Sequence, residues 1–154
     1  MGVNHGKMFD YPSDLLEKIN GVINSTNADM VVYIRNLMKN NLLNKFAPVK
    51  CFDGTKEAEL VEGLSVVSGN IFDKYEGNAF SNAKLDSFLK ANNVNEIEII
   101  GVDGGGCVAL TALGAVDAGY KVTLNTMAIG TVFEKQKNKY FEKLKKMGAD
   151  FSDL

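Results

Sequence analysis

The segment Ile99-Ile100-Gly101-Val102-Asp103-Gly104-Gly105-Gly106-Cys107-Val108-Ala109-Leu110 runs from a β-rich apolar stretch through three consecutive glycines into a helical pattern. Glycine loses more conformational freedom on folding than any other residue. A fold therefore keeps such a run where the main chain takes positive φ or approaches another group closely. Cys107 falls at the start of the helix, where unpaired N–H groups and the macrodipole favour a thiolate. The same N–H groups suit an oxyanion, so one turn would supply both a nucleophile and its oxyanion hole. A cysteine on an apolar helix is otherwise a small core hydrophobe; the glycine turn is what separates the two readings. Phosphate binding fits less well, because GVDGGGC lacks the Lys-Ser/Thr of a P-loop and G-x-G-x-x-G is not met from Gly101. The other cysteine, Cys51, has no partner at catalytic spacing and reads as a loop or core thiol.

Periodicity shows what would position the turn. Leu15, Leu16, Ile19, Val22 and Ile23 recur at helical spacing after Tyr11-Pro12-Ser13. Met30–Ile34 is continuously apolar and β-rich, as expected of a strand covered on both faces of a parallel sheet. Residues 36–63 carry mixed signals, with a short helical possibility at Glu57–Leu60, and read as a long excursion of the kind that contacts substrate. An Ile71–Phe72 segment, a helix over Ala83–Ala91, a strand Ile97–Val102, a helix Cys107–Ala118, a strand Val122–Met127 and a helix Phe133–Met147 follow in order. This alternation implies an α/β protein, a three-layer α/β/α doubly wound parallel sheet, in which ligands sit outside the carboxyl ends of the strands. Cys107 falls at such an end.

With 154 residues, 45% of them hydrophobic, the chain supports one core, and residues 1–154 are read as a single domain. A formal net charge of −2 gives no footprint for nucleic acid, and the lysines of 135–146 are offset by Glu134 and Glu142. No window approaches the roughly 20 apolar residues of a membrane span, and the first residues carry no apolar signal-peptide core. The expectation is a soluble, cytoplasmic protein with two free thiols, no nucleic-acid partner and no membrane partner. His5 is the only histidine, so no metal and no cofactor are expected.

Gly101-Val102, Cys107-Val108, Thr111-Ala112, Ala115, Ala118-Gly119-Tyr120 and Val122 together resemble the nucleophile segment of the isochorismatase-like cysteine hydrolases. That family includes nicotinamidases and N-carbamoylsarcosine amidohydrolases. Upstream, Gly54-Thr55, Ala58-Glu59-Leu60, Lys74, Ala79-Phe80 and Leu85 fall in the family's order. The resemblance spans roughly residues 6–150. It implies a Rossmann-like fold and hydrolysis of a small amide or related carbonyl-type substrate, with Cys107 as nucleophile and Lys74 as its catalytic partner. It also implies a cis bond between Val102 and Asp103 that would aim the Asp103 N–H, with that of Cys107, at the oxyanion. The Asp103 side chain is unusual there and reads as a cap of the turn.

The family's opening strand ends in an aspartate that serves as general base. Gly6-Lys7-Met8 resembles the loop after it, so neither strand nor aspartate is expected within these residues, and the alternative to a hydrolase is a catalytically impaired or non-catalytic family member that serves in assembly or small-molecule binding. Asp10 reads instead as a cap of the first helix, and Asp73 has no better claim to the base's role. In the family that strand lies between those matching Met30–Ile34 and Ile97–Val102. Here the two edges are expected either to close on each other or to be covered by residues 1–9 or another copy of the chain. A homo-oligomer, a dimer or larger, follows from the resemblance and from these edges.

Overall fold

A computed structural model describes residues 10–39, 44 and 51–153. In chain order these form α1 (Leu15–Ser25), β1 (Tyr33–Asn36), β2 (Ile71–Lys74), α2 (Ala83–Ala91), β3 (Glu96–Val102), α3 (Cys107–Asp117), β4 (Lys121–Gly130), α4 (Glu134–Lys146) and β5 (Asp150–Ser152), with short 3₁₀ turns at Ala28–Met30, Lys56–Ala58 and Ala79–Ser81. Every strand pair is parallel. Alternation along β3 sends Ile97 and Ile99 to one face, against Leu85 and Leu89 of α2, Ala112 and Ala115 of α3 and Leu144 of α4. Ile100 and Val102 point to the other face, where Leu15, Ile19 and Ile23 of α1 cover them. Three layers result. Each large aliphatic buried in them is worth about 1.5–3 kcal/mol relative to exposure.

The sheet is divided. Strand β1 pairs with β2, and β3 pairs with β4, which pairs with β5. Tyr33 and Leu37 direct their N–H groups toward β2, onto Asn70 and Lys74 carbonyls, so by strand alternation Ile34 and Asn36 turn theirs the other way. Among the described residues, β1 and β3 do not pair with one another. Between their edges runs a cleft of about 310 Å³, bordered by Val32, Ile34, Ile97 and Ile99 and closed on the two faces by Val22 and Ile23 of α1 and Phe88 of α2. Direct closure of the two strands is therefore not the arrangement this chain adopts.

Several boundaries differ from the sequence expectation. The apolar run at Met30 begins in a 3₁₀ turn, and the strand starts only at Tyr33, where Ile71 comes alongside it. β4 continues to Gly130 because Ile129 and Gly130 find Gly101 and Val102 beyond a register shift. Gly101, at φ +116°, takes that irregular step, a conformation side chains rarely adopt. The cap of α1 is Asp14, which pairs with Lys18 at 2.7 Å, and Asp10 is exposed.

Candidate active site

β3 ends at Val102 and α3 begins at Cys107, so the intervening turn lies beyond the carboxyl ends of the strands. The Val102–Asp103 peptide bond is cis. Two glycines of this turn, Gly104 and Gly105, are required by close packing rather than by positive φ. A Cβ on Gly104 would sit 2.4 Å from Thr131 Oγ1, and one on Gly105 would sit 2.1 Å from the Phe133 carbonyl oxygen. The turn's backbone bonds run from Gly104 N–H to the Gly130 carbonyl and from Gly106 and Val108 N–H to the Asp103 carbonyl. Gly105 N–H donates to Asp103 Oδ1 at 2.7 Å, the capping role expected of that side chain. The N–H groups of Asp103 and Cys107 stand outside this set.

Cys107 is partly exposed at the first position of α3, whose first turn holds no acidic residue to compete for the dipole. Lys74, at the end of β2, is 4% exposed. Its Nζ donates to Cys107 Sγ at 3.0 Å, to Asn36 Oδ1 at 2.9 Å and to the Glu76 carbonyl at 2.8 Å. Three donors meet three acceptors, so the buried ammonium is fully engaged and points at the sulfur. Register explains its aim, because Asn36 lies opposite Lys74 and Arg35 opposite Asp73. Arg35 grips Asp73 through Nε and a terminal nitrogen at 2.7 and 2.9 Å, which commits that carboxylate to a structural pair. Thr111 Oγ1 of α3 accepts the Ala79 N–H at 3.0 Å and fastens the loop after Lys74 to the nucleophile's helix.

The structure thus brings together Cys107, Lys74 and Asp103. It adds Asn36, Tyr11 and Val132, which sequence reasoning missed. Asn36 was visible as a polar residue closing an apolar strand; the other two are distant in sequence and carried no signal. Cys51 is buried against Leu37 and Ala58, and burial pushes its thiol above the ordinary range, as suits a core thiol. His5 and Gly6-Lys7-Met8 lie outside the described residues.

Fold and site together define a parallel α/β protein with a cysteine–lysine pair at the carboxyl ends of its strands. The sequence profile of the isochorismatase domain matches residues 12–154, and the chain belongs to that family. No curated protein sequence matches it. Among solved structures, it is similar to the pyrazinamidase of Pyrococcus horikoshii in complex with zinc, with a TM-score of 0.81 and 21% identity over 99% of this chain and 93% of that one. The N-carbamoylsarcosine amidase of Thermoplasma acidophilum follows with a TM-score of 0.74 and 19% identity over 90% and 82%. The nicotinamidase of Staphylococcus aureus has a TM-score of 0.73 and 23% identity over 92% and 87%. At these identities the likeness speaks for the fold. Among the described residues, no group of three or more His, Cys, Asp or Glu side chains is placed to hold a metal ion such as that zinc.

Proposed function

We propose that this chain is a cysteine hydrolase cleaving a small amide or related carbonyl compound, with Cys107 as nucleophile and Lys74 as its charged partner. The observation that carries the reading is the 3.0 Å contact between Lys74 Nζ and Cys107 Sγ at the start of a helix. An ammonium held on the sulfur favours the thiolate, the nucleophilic form. The thiolate adds to the carbonyl carbon, and the charge passes to the carbonyl oxygen, for which the N–H groups of Asp103 and Cys107 are the donors. The C–N bond then breaks, and the amine departs with a proton from Lys74. Water attacks the thioester, returns a proton to Lys74, and releases the acid and the thiolate. Losing one oxyanion donor typically slows such a step about 10²–10³-fold.

The names of the similar structures, amidases of small molecules, support the substrate class. The same reading takes residues 1–154 as one domain working in the cytoplasm, where the two free thiols stay reduced. It includes self-association, supported by the strand edges along the cleft. No helix among the described residues is long and apolar enough to cross a membrane.

Turnover of a panel of small primary amides and N-carbamoyl compounds, followed by release of ammonia, tests the reading. Cys107→Ser is expected to lower turnover on the order of a thousandfold or more. Turnover that survives in Cys107→Ser would sink it.

A further inference from the structure

We propose that the Asp103 side chain is a positioning group that fixes the oxyanion donors of the nucleophile turn, Asp103's own N–H among them, its carboxylate acting through the backbone and not itself touching substrate. The proposal rests on the hydrolase reading of Cys107 and Lys74.

Its carboxylate is buried, with the residue 8% exposed, and collects three donors from three separate parts of the chain. Gly105 N–H, inside the turn, donates to Oδ1 at 2.7 Å, and Val132 N–H, in the loop between β4 and α4, donates to Oδ2 at 2.5 Å. The Tyr11 hydroxyl, just before α1, donates to the same Oδ2 at 3.4 Å. Both carboxyl oxygens are thus engaged as acceptors, Oδ1 by one donor and Oδ2 by two. The Asp103 carbonyl meanwhile accepts from Gly106 and Val108, so side chain and main chain of one residue hold both the turn and the loops around it.

The residue's remaining polar group is its N–H, the donor assigned to the oxyanion. With everything else about Asp103 tied down, the direction of that N–H is set before substrate arrives, as transition-state stabilisation requires. A carboxylate so near a developing oxyanion would oppose it, but three donors offset the charge. Glycine at 130 permits the arrangement, since a Cβ there would lie 2.8 Å from the Tyr11 ring and 2.5 Å from Leu15. Burial, then the charge of Asp103, raises the Tyr11 phenol well above its ordinary range, so it remains a donor throughout neutral pH.

Two probes of the same sulfur test this. Iodoacetamide is attacked at a saturated carbon; Sγ–C forms, iodide leaves, and no oxyanion develops. With p-nitrophenyl acetate, Sγ adds to the acetyl carbonyl, the C–O bond breaks, p-nitrophenolate leaves, and the acetyl thioester remains. The ratio of acylation to alkylation at Cys107 therefore isolates the oxyanion donors from thiol reactivity. Asp103→Asn, which replaces one acceptor oxygen with a donor, is expected to slow acylation about tenfold or more and to leave alkylation within about threefold. Tyr11→Phe, which removes one of the three donors, is expected to lower the ratio about two- to threefold. An unchanged ratio in Asp103→Asn, or equal loss of both rates, overturns the proposal. Should Asp103→Asn fail to fold, an unchanged ratio in Tyr11→Phe overturns it. Acylation of the wild-type chain no faster than of Cys107→Ser defeats the hydrolase reading and the proposal with it; a normal wild-type rate with an unmoved ratio defeats the proposal alone.

Discussion

The two halves of the divided sheet hold their functional residues by different means. In the β3–β4–β5 half the nucleophile turn is gripped chiefly by backbone bonds and by glycines pressed against Thr131 and Phe133, with the Asp103 carboxylate as its side-chain anchor. In the β1–β2 half, each strand is four residues long and Lys74 is aimed by side chains, Asn36 and the Arg35–Asp73 pair among them. A position fixed by main-chain packing tolerates almost no added atom. One fixed by side-chain bonds degrades by steps. That contrast predicts a graded series of effects.

The largest belongs to the nucleophile half. Gly105→Ala would place a methyl 2.1 Å from the Phe133 carbonyl oxygen, a backbone atom that cannot swing aside. Overpacking of this kind is expected to cost about 3 kcal/mol, lowering the melting temperature by roughly 10 °C. A melting temperature within roughly 2 °C of wild type would show that the turn is held less tightly than its packing implies. Next comes Lys74→Met, which keeps the stem and deletes the ammonium from the sulfur. Iodoacetamide alkylation of Cys107 near neutral pH should slow about tenfold. An unaltered rate would mean that the helix start alone activates the thiol.

Asn36→Ala should do less, because it removes one of three acceptors around Nζ and leaves the Glu76 carbonyl and Cys107 in place. One hydrogen bond to a charged group is worth about 1.5–3 kcal/mol. Alkylation is expected to slow about threefold, with the lysine less firmly aimed. A tenfold loss, equal to that of Lys74→Met, would make Asn36 the true determinant of the lysine's position and erase the stepwise picture.

The same contrast accounts for what could be read in advance. The nucleophile turn is local: a strand, three glycines and a helix start lie within a dozen residues, and α2 and α3 stand close to their periodic patterns. Lys74 is different. Its reach to Cys107 spans 33 residues and depends on a register that no local pattern states, so only family resemblance singled it out. Asn36, Tyr11 and Val132 were missed for the same reason, as their partners lie 38, 92 and 29 residues away. β5, three residues beginning with Asp150, has no alternation to detect and forms because β4 offers an edge.

The smallest effect tests the seam between the halves. Tyr120, just before β4, donates its hydroxyl to Asp86 Oδ1 of α2 at 2.8 Å, and its ring lies 5.6 Å from that of Phe80 in the loop after β2. Burial first, then the bond to Asp86 and its charge, pushes the Tyr120 phenol up to about 12. The unfolded chain releases this proton near pH 10, so the folded state binds it more tightly. The stabilisation is therefore fully present below about pH 10 and is lost as pH rises through about 12. Tyr120→Phe should be modestly less stable at neutral pH, and the gap to wild type should narrow between pH 10 and 12 in denaturant titrations. A gap constant across that window would mean that the Asp86–Tyr120 bond contributes nothing to holding the lysine half against the nucleophile half, leaving the ring contact with Phe80 and the Thr111 bond to carry the seam.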